Sequence, residues 1–126
     1  MNTVRLNLDP SHGHYPARYS SNVEMCILGN FLATDVGCYY WPAFRNFAIN
    51  TWEDSTSSNI TCLEKEGLYI YLSDLYSEEE EPTRLKIGIA QYIQLLDDWE
   101  EKVCKHKPRE VLIKEENGQF TVETSE

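Results

Sequence analysis

Between positions 73 and 82 the chain reads SDLYSEEEEP, a stretch that gathers Asp74, Glu78, Glu79, Glu80 and Glu81 around Tyr76. Carboxylates at this density repel one another weakly in water: two unit charges about 4 Å apart interact by about 1 kcal/mol, and salt screens them beyond roughly 10 Å. An exposed loop can therefore carry such a cluster idly, as a solvated surface. The neighbouring residues favour a second use. Tyr69, Tyr71 and Tyr76 lie beside the carboxylates, and tyrosines inside a charged rim are ingredients of a protein interface with a buried centre. Aromatic rings would anchor a cationic partner and the acids would steer it, a combination that raises association rates to about 10⁸ to 10⁹ per molar per second at low salt.

Other chemistry is poorly supplied. His12 and His14 flank Gly13 in a turn-rich loop, but two imidazoles are too few for a zinc site without a convergent cysteine or carboxylate, and no spacing enforces one. Asp97-Asp98 and Glu100-Glu101 are adjacent pairs, and a helix sends adjacent residues in different directions. Asp98 with Lys102 and Glu101 with Lys105 make i,i+4 ion pairs, so the expectation is a solvated helix face rather than acid–base catalysis. Asp97, Asp98 and Glu101 could extend the acidic surface. Cys26, Cys38, Cys62 and Cys104 are scattered without a C-x-x-C pair, and the expectation is free, mostly buried thiols. No phosphate-binding glycine loop, nucleophile elbow, H-E-x-x-H or calcium-loop pattern occurs. The reading is of a protein that is not an enzyme, with no catalytic residue, no metal and no cofactor. An enzyme or metal protein built on His12, His14 and a cysteine is the competing third reading.

Charge narrows the partner. With 11 Lys and Arg against 21 Asp and Glu the net charge is -10, a field that repels nucleic acid and anionic membrane and attracts basic proteins. Through Ile60 there are three basic and five acidic residues, and from Thr61 onward eight and sixteen, so the two parts carry -2 and -8. No apolar stretch approaches the roughly 20 residues that span a bilayer, and none follows a basic N-terminal segment. The expected location is the cytoplasm.

The elements that must position these groups follow from hydrophobic period. TVRLNL alternates as a strand, and VEMCILGNFLA reads as a strand broken at Gly29. YWPAFRNFAINTW reads as a helix with proline near its start and Trp41, Phe44, Phe47, Ala48 and Trp52 on one face. ITCLEKEGLYIYL folds about Gly67 into two strands, with Leu68, Ile70 and Leu72 inward. TRLKI is a short strand, Gly88 an N-cap, and IAQYIQLLDDWEEKVCKHK a helix with a stripe of Ile89, Tyr92, Ile93, Leu96, Trp99 and Val103 that docks on a sheet. Asn117-Gly118 predicts a type I′ hairpin pairing Glu116 with Gln119, Ile113 with Val122 and Val111 with Thr124. Together these predict one α+β domain over residues 1–126: an antiparallel sheet of hairpins with one long C-terminal-half helix and one shorter helix packed on it.

The order RLKI, IAQYIQLLDDWEEKV, KPREVLIKEENGQFTVET, with FLATD and GLYIYLSDLY before it, resembles the ending of small acidic bacterial immunity proteins of contact-dependent growth inhibition and related polymorphic toxin systems. The resemblance covers residues 31–124. It implies a non-enzymatic cytoplasmic protein that binds the toxic C-terminal domain of a cognate effector, often a nuclease, and blocks its active site or an adjacent surface. The alternative is an acidic adaptor for another basic protein.

Overall fold

The computed structural model describes residues 1–11, 13–15, 18–20 and 22–125, without the side chains of residues 18 and 19. His12 lies outside the described residues. The fold is α+β and holds two antiparallel sheets. In the first, β1 (Asn2–Asn7) is flanked by β2 (Arg18–Tyr19) and by β7 (Glu110–Glu116), which pairs in turn with β8 (Gln119–Thr124). The second runs β3 (Ser55–Ser57), β4 (Thr61–Glu66), β5 (Tyr69–Asp74), β6 (Arg84–Gly88) in spatial order. The C-terminal hairpin has the register its turn dictates: Glu116 faces Gln119, Ile113 faces Val122 and Val111 faces Thr124. Asn117 at φ 54° and Gly118 at φ 81° supply the two left-handed residues that a type I′ turn needs.

Helix α1 (Val23–Asn30) continues into a π-helical segment, Phe31–Val36, and α3 (Ile89–Asp98) into another, Trp99–Cys104. Helix α2 (Trp41–Ile49) lies between them in sequence. Both α1 and α3 touch both sheets: α1 packs on β1 and β2 and on β5 and β6, and α3 packs on β8 and on β5 and β6. One continuous core results, with Val4, Leu6, Val111 and Ile113 from the first sheet, Leu63, Ile70, Leu72 and Ile87 from the second, and Phe31, Tyr92 and Trp99 from the helices.

Five expectations need correction. VEMCILGNFLA is helical, because Asn22 caps it by accepting the Met25 N–H at 2.9 Å and because Met25, Ile27, Leu28 and Gly29 bury against both sheets. Trp52 falls beyond the end of α2 and is 75% exposed, and Leu68 sits in the two-residue turn, 80% exposed, rather than on the inner face. The expected Asp98–Lys102 pair does not form: the wider π turn that begins at Trp99 swings Lys102 toward β8, where it donates to the Val122 carbonyl at 3.2 Å. Finally, Cys38 and Cys104 form a disulfide, with Cα atoms 5.5 Å apart, while Cys26 and Cys62 are free.

The disulfide joins the ends of the two π segments. Gly37 follows the first at φ 52°, a left-handed value that glycine adopts without a Cβ clash. Its carbonyl accepts the Trp99 indole N–H at 2.8 Å, and its N–H donates back to the Leu32 carbonyl at 3.0 Å. The turn thus aims Cys38 at Cys104 and satisfies a buried tryptophan in one step. At the far end of α2, Lys65 from β4 donates to the Phe47 and Asn50 carbonyls at 2.7 and 2.9 Å, placing a cation at the negative end of the helix dipole.

Candidate functional site

The β5–β6 hairpin brings Ser73 opposite Arg84, so residues 74–83 form a loop at one end of the second sheet. Local hydrogen bonds shape it. The Asp74 carboxylate accepts the Tyr76 N–H at 2.9 Å, an Asx turn, and the Asp74 carbonyl accepts the Ser77 N–H at 3.2 Å. Ser77 Oγ then accepts the Glu79 N–H at 3.3 Å. Asp74 therefore has a structural use as well as a charge.

A second tier holds the base of the loop. Leu75 N–H donates to the Ile60 carbonyl at 2.9 Å. The Ile60 N–H points to Asp35, whose Oδ2 accepts it at 3.4 Å and also accepts the Ser58 hydroxyl. Asp35 sits in the first π segment and is 4% exposed, and among the described residues its Oδ1 has no hydrogen-bond partner. A buried carboxylate in a π turn thus ties α1 to the turn that carries the acidic loop. Sequence reasoning passed over Asp35; an aspartate inside an otherwise apolar run was the available signal.

Across from the loop stands α1. Val23, Cys26, Ile27 and Asn30 form one wall of a groove of about 420 Å³, and Asp74, Tyr76, Glu79 and Pro82 form the other. Its floor is mainly apolar, its rim is acidic, and Tyr76 at 70% exposure presents its ring there. The α1 wall was invisible to a reading that made this segment a strand, although Ser-Asn ahead of an apolar run is a helix-start signal.

Glu78, Glu79, Glu80 and Glu81 are all exposed. Among the described residues, none of these four, nor Asp74, has a Lys, Arg or His within ion-pair distance, whereas five described cations pair with other carboxylates. Arg5 pairs with Glu110, Arg45 with Asp97, Arg84 with Glu66, Lys105 with Glu100 and Glu101, and Lys114 with Glu123. The other site candidates fall in a different place. Asp97, Asp98 and Glu101 lie on α3 and its π extension and do not line the groove. Asp97 accepts the Arg45 Nε–H at 2.8 Å, linking α3 to α2, and Asp98 accepts from Gln94 at 2.9 Å. Glu101 meets Lys105 at 2.8 Å, and that ammonium holds the Glu101 carboxyl below its ordinary range.

The three tyrosines also separate. Only Tyr76 borders the groove, while on the outer face of the second sheet the Arg84 guanidinium lies 4.1 Å over the Tyr71 ring and the Lys86 ammonium 4.1 Å over Tyr69. These cation–π contacts occupy the two rings that the sequence placed beside the acids.

No protein-family model, curated protein or solved structure matches this chain. The site must be read from its own geometry. Among the described residues no group of three or more His, Cys, Asp or Glu converges as a metal site, and no helix is long and apolar enough to cross a membrane. His14 pairs through its backbone with Asp9, whose N–H donates to the His14 carbonyl at 2.7 Å.

Proposed function

We propose that this chain is a non-enzymatic immunity protein that acts in the cytoplasm, binding the toxic C-terminal domain of a cognate effector and occluding its active site or an adjacent surface. The toxin domain is basic, in keeping with a nuclease, and the contact surface is the loop carrying Asp74, Tyr76, Glu78, Glu79, Glu80 and Glu81. One observation carries the reading: five carboxylates on one loop lie beyond ion-pair distance of any described cation, and two of them, Asp74 and Glu79, line the groove beside α1. Leaving them so maintains a local negative potential, and a cationic partner would relieve it. Carboxylates at such an interface occupy the basic positions that otherwise hold phosphates.

The test uses the toxin domain encoded beside this chain's gene. Changing Glu78, Glu79 and Glu80 together to lysine leaves buried residues untouched, since all three are exposed. Like charges facing a basic surface cost several kcal/mol, so the dissociation constant should rise by about 100-fold or more at low salt, with a shallower dependence on ionic strength. Unchanged affinity and salt slope would remove this loop from the interface. A tight complex with a basic protein that is not a toxin would instead favour an acidic adaptor.

A further inference from the structure

We propose that Cys38 is a thiol–disulfide exchange site for small disulfides of the glutathione class, with Cys104 as its resolving partner. The two sulfurs of the bridge differ in their surroundings. Cys38 lines a cavity of about 440 Å³ together with Gly13, Tyr15, Trp99 and Lys107, and Cys104 is not part of that wall. Lys107, at φ 48°, folds its side chain back so that Nζ lies 3.5 Å from Cys38 Sγ and 3.2 Å from the Gly13 carbonyl oxygen. Cys104 Sγ instead lies 3.5 Å from the Gly37 carbonyl oxygen.

These contacts divide the roles once the bridge is open. An ammonium beside a sulfur favours its anion, and a carbonyl oxygen beside a sulfur favours the protonated thiol, which can donate to it. Cys38 is then the thiolate that faces the cavity, and Cys104 the thiol held behind it. The Cys38 thiolate attacks one sulfur of the small disulfide: a mixed disulfide forms on Cys38, the original S–S bond breaks, and one small thiolate leaves. Cys104 gives up its proton, attacks Cys38 Sγ and expels the second small thiolate. Two protein thiols are oxidised, one small disulfide is reduced to two thiols, and the reverse sequence opens the bridge. In a cytoplasm that keeps glutathione reduced, the same path run backward would hold the pair open.

Two measurements on the full chain test this. In the first, wild-type protein is reduced, freed of reductant and given limiting iodoacetamide, and the alkylated sites are followed by peptide mass spectrometry. Cys38 should react at least tenfold faster than Cys104, Cys26 or Cys62; equal rates at all four, or another cysteine first, would overturn the proposal. In the second, oxidised glutathione is added to reduced Cys104→Ser, which should accumulate the adduct at Cys38, while Cys38→Ser should accumulate little at Cys104. Lys107→Met should slow the Cys38 reaction about threefold, because the thiolate loses the ammonium beside it. An adduct that forms as fast at Cys104, or a Lys107→Met rate equal to wild type, contradicts the assignment.

Discussion

Opening the Cys38–Cys104 bridge releases a loop closed across 66 positions of sequence. In the chain-entropy description the cross-link removes about 2.1 + 1.5R ln n cal/mol/K from the unfolded ensemble, which for a loop of this size comes to about 4 kcal/mol at 25 °C. That is a large share of the 5 to 15 kcal/mol that holds a domain of ordinary stability. For urea slopes near 2 kcal/mol per molar the unfolding midpoint should fall by about 2 M on reduction, and the thermal midpoint by about 15 °C. The assay is equilibrium unfolding of oxidised and reduced protein, read by far-ultraviolet circular dichroism and by the fluorescence of buried Trp99. A Cys38→Ser, Cys104→Ser double variant should match the reduced wild type, and a Cys26→Ser, Cys62→Ser double variant should keep the oxidised midpoint. Superimposable oxidised and reduced unfolding curves would refute the view that these two π segments are held by a covalent tie.

Three further outcomes follow from packing and protonation. Lys65→Met keeps the aliphatic stem but removes the ammonium from the carbonyls of Phe47 and Asn50, and stability should fall by about 2 kcal/mol in urea titrations. Gly37→Ala forces a Cβ onto a backbone at φ 52°, ψ -139°, a combination essentially confined to glycine; the space around it is open, so the loss should be confined to backbone strain, about 1 to 3 kcal/mol. Burial raises the Tyr15 phenol to about 12 and raises Tyr92 as well. Both phenols therefore stay protonated in the folded state while the unfolded chain begins to lose those protons near pH 10. The stability they contribute is complete below that pH, and above it should decline by about 1.4 kcal/mol per pH unit for each phenol, the Tyr15 share ending as pH passes about 12. Tyr15→Phe, followed by pH-dependent unfolding, should flatten part of that slope.

The parts of this fold that were legible in sequence are those set by local chemistry. Asn117-Gly118 determines its own turn and, through it, the pairing of Ile113 with Val122. The helix from Ile89 shows its stripe because one side faces two sheets and the other faces water. Helix α1 shows no such stripe: it touches both sheets, and its groove-facing side is itself apolar at Val23 and Ile27, so its apolar residues lose their 3.6-residue period and resemble a buried strand. The disulfide was illegible for a different reason. Spacing says nothing about two π segments whose ends meet only in the folded chain. The acidic loop stood out by composition, but the groove beside it did not, because its opposite wall belongs to the misread helix. Asp97, Asp98 and Glu101 share the loop's charge but not its setting, since Arg45, Gln94 and Lys105 already engage them.

The most direct trial of the central claim is amide hydrogen exchange on this protein, alone and bound to the proposed toxin partner. Residues 74–81 and the facing turns of α1, around Val23 and Cys26, should gain protection while the outer face of the first sheet exchanges unchanged. Protection confined to that outer face, with residues 74–81 exchanging as in the free protein, would contradict the account.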